Sequence, residues 1–173
     1  MSAANKSHQV AHIFSVAILT VSDRAARGEY RDRSGPAAAA LLDAEQFAVV
    51  RAEVVPDEID IIAGALRRAV AERIALVLTT GGTGFSGRDI TPEATLRVVE
   101  RRADGLTEAM RAGTLPLTPF AMISRAVAGI AGSTLIVNLP GSPRAVAECL
   151  PIILPVLPHA LAHIAGGNPH GTA

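Results

Sequence analysis

Four short segments of the 173-residue chain carry most of the side chains suited to polar chemistry, and each follows a β-branched apolar run. Thr20-Val21-Ser22-Asp23-Arg24 places a hydroxyl, a carboxylate and a guanidinium together, and Val55-Pro56-Asp57-Glu58 adds two acids. Thr79-Thr80-Gly81-Gly82-Thr83-Gly84, followed by Arg88-Asp89 and Thr91-Pro92, is the richest. Asn138-Leu139-Pro140-Gly141-Ser142-Pro143 is the last. Glycines let main-chain N–H groups approach phosphate oxygens, hydroxyls add donors, and a helix starting at Thr91-Pro92 favours an anion. The two acids Asp57 and Asp89 suit a Mg2+ ion held against a triphosphate. The chemistry these residues point to is the gripping of a ligand that bears several phosphates.

Most of these residues also have an ordinary structural duty open to them. Glycine-rich turns after strands often serve backbone geometry alone, and Asp57 and Ser142 both stand where a helix N-cap belongs. Asp89 lies two residues before the expected cap Thr91, so no capping duty accounts for it. Gly82-Thr83-Gly84-Phe85-Ser86-Gly87 matches GxGxxG, but it follows the third expected strand and its helix waits until Pro92, which argues against a dinucleotide fingerprint. No Gly-Lys-Ser/Thr follows, so a Walker A loop is disfavoured too. His159 and His163 stand four apart on an expected helix without a glutamate or third ligand in an HExxH pattern, and a solvated or packing role is expected for them. Cys149, the only cysteine, lies in an apolar run and reads as a buried, inert thiol of a reducing compartment.

The elements that must position these loops alternate in type. Strands are expected at Phe14 to Val21, Ala48 to Val55, Leu76 to Thr80 and Thr134 to Asn138. Helices are expected from Ser34-Gly35-Pro36 onward, between Pro56 and Glu72, from Thr91-Pro92 to about Arg101, and over Gly105 to Leu115. A short helix around Ala121 to Val127 and a final proline-divided helix to Ala165 complete the reading. The alternation predicts an α/β fold with a mostly parallel sheet covered on both faces, whose ligand-binding loops share the C-terminal strand edge.

Composition bounds the function classes. Lys plus Arg and Asp plus Glu are equal at 16 each, so no overall field draws the chain to nucleic acid or to an anionic membrane, and any anion must be held locally. Prolines 151, 155 and 158 break the longest apolar run, Cys149 to Leu161, so no membrane span is expected. The polar N-terminal stretch lacks a signal-peptide core, and a cytoplasmic location is expected. One domain over residues 14–165 is expected, with flexible tails at 1–13 and 166–173.

As strings, the loops resemble the MogA/MoaB family of molybdenum cofactor biosynthesis. The similar segments are AILTVSDR at Ala17 to Arg24, VVPDE at Val54 to Glu58, LTTGGTGFSGRDITPEAT at Leu78 to Thr95 and STLIVNLPGSP at Ser133 to Pro143. TPFAMISRAVAGIAGSTL, Thr118 to Leu135, is similar to the G domains of gephyrin and its plant counterpart. The resemblance covers roughly residues 14 to 165. It implies a three-layer α/β sandwich, an adenylyltransferase that joins AMP from Mg-ATP to molybdopterin with release of pyrophosphate, and a homotrimer, with a hexamer as the other arrangement. It also implies Asp57 and Asp89 as the catalytic and Mg2+-associated acids. Ser22, Asp23, Gly81, Gly82, Thr83, Gly84, Thr91, Pro140, Gly141 and Ser142 match the ligand-binding loops. Hand-over of product to a MoeA-type molybdenum-inserting enzyme is a further implication. The alternatives are a MoaB-like protein that binds molybdopterin without catalysis and an oligomeric scaffold.

Overall fold

The computed structural model describes residues 13–166. The expected tails at 1–13 and 166–173 therefore lie outside the described residues except for Ile13 and Gly166. The strands are β1 (Phe14–Val21), β2 (Phe47–Val55), β3 (Leu76–Thr80), β4 (Arg101–Arg102), β5 (Ala128–Ala131) and β6 (Thr134–Leu139). The helices are α1 (Asp23–Ala26), α2 (Ser34–Leu41), α3 (Ile59–Ala71), α4 (Thr91–Leu96), α5 (Asp104–Thr114), α6 (Pro143–Ile153) and α7 (Leu157–Ile164). Short 3-10 turns occupy Pro119–Ile123 and Leu154–Val156.

All six strands form one sheet in the order β2-β1-β3-β6-β5-β4. The first four in that order run parallel, and β5 is antiparallel to both of its neighbours. Because strand side chains alternate between faces, Val16, Ile18, Leu76, Leu78, Leu135 and Val137 enter one core, which they share with Val146, Leu150, Ile153, Leu157 and Leu161 of α6 and α7. Ala17, Leu19, Val21, Val77 and Ile136 enter the other, against Ile62 and Leu66 of α3 and Ala94 of α4. Helices thus cover both faces, and the three-layer sandwich follows from the buried, unbroken apolar strands.

The structure departs from the sequence reading where tertiary pairing overrides local period. Helix α4 ends at Leu96, because Glu100 donates to the Ile130 carbonyl at 2.9 Å and Ala103 to that of Ala128 at 2.9 Å. The residues expected to extend the helix toward Arg101 instead close the sheet edge as β4. Val99 packs on Gly129, where a Cβ would come within 2.7 Å of it. The helix expected around Ala121 to Val127 is only a 3-10 turn over Pro119–Ile123 followed by an irregular stretch at 124–127. Strand β5 comes next and pairs with β6 across Gly132-Ser133, with Gly132 at φ +53. Helix α1, also unforeseen, is a single turn whose N-cap is Ser22. The final helix divides at Leu154–Val156, as its prolines require. By length and composition the 22-residue run Pro143–Ile164, with mean hydropathy 1.7, is long and apolar enough to cross a membrane, while its stripe of Val146, Leu150, Ile153, Leu157 and Leu161 packs into the core.

Asn138 fastens the last parallel strand to its surroundings. Fully buried, its amide nitrogen donates to the hydroxyls of Thr79 and Thr95, each at 2.9 Å, and its side-chain oxygen accepts from Val127 N–H at 3.1 Å. A leucine of similar volume would leave the Val127 N–H and two buried hydroxyls without this partner. Asn138→Leu is expected to lower stability by about 3 kcal/mol, read as the shift in urea midpoint at constant slope.

Candidate active site

The four chemical loops leave the C-terminal ends of β1, β2, β3 and β6, so the parallel pairing brings them to one edge. The loops after β3 and β6 meet most closely. Gly81 donates to the Leu139 carbonyl at 3.2 Å, and a Cβ on Gly141 would sit 3.1 Å from the Gly81 Cα. Gly81 has φ +96, and a side chain there would strike the Val21 carbonyl oxygen at 2.4 Å. Glycine is thus required at this crossing by both conformation and space.

Two recesses open on either side of the crossing and share Gly82 and Gly141. The larger, about 340 Å³, is lined by Thr83, Gly84, Asp89, Ser124, Pro140 and Ser142 among others. The smaller, about 220 Å³, is lined by Ser22, Tyr30, Asp32, Ser34, Asp57 and Gly81 among others. The sequence-derived acids therefore flank one glycine turn. A Cβ at Gly82 would lie 3.4 Å from Asp57 Oδ1, and one at Gly84 would lie 3.0 Å from Asp89 Oδ2. Their sizes suit a ligand of nucleotide dimensions lying across both.

Asp57 is not the N-cap of α3, since Glu58 occupies that position. Instead Asp57 Oδ2 accepts from Asp23 N–H at 2.7 Å while Asp23 Oδ1 accepts from Asp57 N–H at 2.9 Å. This reciprocal pair ties the β1 loop to the β2 loop. Asp23 also receives the Arg88 guanidinium, with Nη2 at 2.6 Å. The Asp57 N–H first, and Arg88 second, hold the Asp23 carboxyl below its usual range. Asp57 is displaced the other way. Burial raises its pKa above the ordinary aspartate value, opposed by the Asp23 N–H, and the charges of Asp23 and Asp89 push it further up.

An acid with a raised folded-state pKa adds stability below its unfolded pKa and loses that contribution as pH climbs through the folded value. Asp57→Asn keeps an oxygen to accept from Asp23 and removes the titration. The stability of the variant relative to the native chain is therefore expected to rise as pH climbs above the ordinary aspartate value of about 4, measured by thermal unfolding from acid to neutral pH. A difference that stays constant with pH would show that burial places no electrostatic cost on Asp57.

Asp89 Oδ2 accepts from Ser86 N–H at 2.7 Å. Thr91 does not line either recess. It is fully buried, and its hydroxyl donates to the Gly81 carbonyl at 2.9 Å, supporting the glycine turn from behind. Ile90, not Thr91, is the N-cap of α4, a helix of only six residues whose second residue is Pro92. Its terminus thus offers an anion less than the sequence reading expects. Ser142 caps α6, its hydroxyl accepting from Ala145 N–H at 3.1 Å, while it also lines the larger recess.

Two supporting residues escaped the sequence reading. Arg125, just ahead of β5, donates from its main chain to the Thr83 carbonyl at 2.9 Å and from Nε to the Gly84 carbonyl at 2.7 Å. Its remaining nitrogens reach the Asp89 carbonyl and the Glu93 carboxylate. Asp32 accepts from Ser34 N–H at 2.9 Å, Gly35 N–H at 3.2 Å and the Thr20 hydroxyl at 2.7 Å, fixing a hydroxyl cluster that continues to Thr80. The Asp-x-Ser-Gly spacing just ahead of Pro36 is the signal that points to this turn. Cys149 is partly buried beside Thr114, and burial pushes its thiol pKa up, in keeping with an unreactive sulfur.

Paired recesses around a glycine crossing, at the C-terminal edge of a three-layer sandwich, stand where α/β proteins of this architecture place their ligands. Residues 17–159 match the family model described as a probable molybdopterin binding domain, and the chain belongs to that family. Gephyrin of Dictyostelium discoideum is 42% identical over 160 residues, spanning 86% of this chain and 22% of gephyrin. The chain thus spans less than a quarter of that relative. The molybdopterin adenylyltransferase of Helicobacter pylori strain J99 is 41% identical over 157 residues, spanning 87% of this chain and 88% of that protein. Among solved structures, the molybdopterin biosynthesis enzyme MoaB of Thermus thermophilus is 49% identical with a TM-score of 0.84, covering 88% of this chain and 97% of that one.

Proposed function

We propose that this chain is a molybdopterin adenylyltransferase of molybdenum cofactor biosynthesis, transferring AMP from Mg-ATP to the phosphate of molybdopterin and releasing pyrophosphate. The observation that carries this reading is the pair of recesses joined at Gly82 and Gly141, with Asp57 on one side and Asp89 on the other. A ligand phosphate in each would meet at the crossing. The H. pylori relative, matched over most of its length, bears the name of this activity.

The attacking group is itself a phosphate anion, so the reaction needs no strong general base. It needs two anions held in line and their mutual repulsion lowered. The narrow glycine turn lets main-chain donors come close to the α-phosphoryl oxygens, where charge builds in the transition state. Arg125 and Thr91 keep that turn in place from outside the recesses. Mg2+ held between Asp57, Asp89 and the triphosphate would neutralise charge on the α-phosphoryl group and on the departing pyrophosphate.

The proposal extends to a single domain over residues 14–165 working in the cytoplasm as a homotrimer, with product handed to a MoeA-type molybdenum-inserting enzyme. Exposed Val49, Val50 and Val54 give edge strand β2 apolar surface for assembly. Complementation of a strain lacking its molybdopterin adenylyltransferase, grown at low molybdate, tests the reading in cells. Restored molybdoenzyme activity is expected. Failure by a chain that is expressed and binds molybdopterin would favour a binding-only protein.

A further inference from the structure

His159 and His163 lie on the exposed side of α7, one helical turn apart, and their Nε2 atoms are 3.0 Å from each other. The rings meet edge to face with centroids 4.5 Å apart. Two imidazole nitrogens bound to one ion at roughly 2.0–2.1 Å, and separated by this 3.0 Å, subtend an angle of about 91–97° at the ion. A tetrahedral ion would need the nitrogens roughly 3.3–3.4 Å apart. The observed bite instead fits the right-angle positions of tetragonal or octahedral ions.

We infer that His159 and His163 form a two-imidazole site for a divalent transition-metal ion, with Cu2+ favoured over Ni2+ and Zn2+. Imidazole suits all three; the bite angle disfavours tetrahedral Zn2+, and the general affinity order places Cu2+ above Ni2+. The rings share one proton between their Nε2 atoms; an ion that takes both Nε2 lone pairs displaces that proton to solvent, and the donor ring is reprotonated at Nδ1, so both ligate as neutral imidazoles. Both residues are exposed, so an ion can reach them from solvent. Arg101 lines the same hollow as His163, so its positive charge moderates the affinity.

This place is remote from the phosphate recesses. His163 shares its hollow with Leu135, near the start of β6, whereas the recesses open beyond the end of that strand. Metal binding at α7 is therefore independent of the acids at the opposite edge of the sheet.

The test uses the full chain without an affinity tag, titrated separately with CuCl2, NiCl2 and ZnCl2 and followed by calorimetry. Copper ligation is read by electron paramagnetic resonance. One Cu2+ per chain with coupling to two nitrogens is expected. His159→Ala and His163→Ala should each weaken Cu2+ binding on the order of 100-fold through loss of the chelate. Circular dichroism and adenylyl transfer of these variants should match the parent chain. Replacing the three other histidines, His8, His12 and His170, should leave Cu2+ affinity unchanged. Native Cu2+ affinity in His159→Ala, or loss of binding only in the variant lacking the other three histidines, would overturn the assignment.

Discussion

Asp89→Asn is expected to lower the rate of adenylyl transfer by roughly 100-fold or more while leaving the fold intact. The substitution removes one negative charge and little else. An asparagine oxygen can still accept from Ser86 N–H, the bond that Asp89 Oδ2 makes at 2.7 Å, so the turn from Ser86 to Asp89 keeps its support. Lost is the carboxylate on the wall of the larger recess. If that charge helps hold magnesium against the triphosphate, kcat falls and the thermal midpoint stays within a degree or two. Molybdopterin binding, which does not require the nucleotide, should persist. An Asp89→Asn chain with native kcat would remove this residue from the reaction.

Arg125→Ala is expected to have the second-largest effect, and by a different route. Its guanidinium is taken up by the Gly84 and Asp89 carbonyls and the Glu93 carboxylate, so it acts on the site through the loop it clamps. Releasing the loop lets Thr83, Gly84 and Asp89 drift together, and a displacement near 1 Å at reacting groups costs roughly 100-fold. The fall should appear mainly in kcat, with a stability loss of about 1–3 kcal/mol from the carbonyls left unpaired. Lysine cannot reproduce a planar fork that reaches three acceptors, so Arg125→Lys should recover little of the rate. Full activity in Arg125→Lys would mean that only the charge matters. Native kcat in Arg125→Ala would mean that the loop holds itself.

The strands that build the site were legible because their signal is local. FSVAILTV, LVLTT and TLIVN are short apolar runs ended by turn residues, and all three appear as central or near-central strands. The loops after them were legible for the same reason. What could not be read depends on partners distant in sequence. Glu100 to Ala103 continue a plausible helix until Ile130 and Ala128 offer a sheet edge. Strand β5, AGIA, is poor in strand formers and is held by pairing with β6, although the two-residue Gly132-Ser133 connection hints at a hairpin.

The roles of site residues divide in the same way. Asp57 and Asp89 stand out by type and position, but the exchange of hydrogen bonds between Asp23 and Asp57 joins residues 34 apart. Thr91 looks like a helix cap from its neighbours, and only the folded chain directs its hydroxyl to Gly81. Arg125 carries no local mark, because three of its acceptors lie 32 to 41 residues away.

The most direct measurement is pyrophosphate release by the purified chain supplied with molybdopterin and Mg-ATP, beside the Asp89→Asn variant. Release that requires both substrates, yields adenylyl-molybdopterin in equal amount and nearly vanishes in the variant is the predicted result. Molybdopterin that binds tightly while pyrophosphate stays at background in the native chain would contradict nucleotidyl transfer at this site.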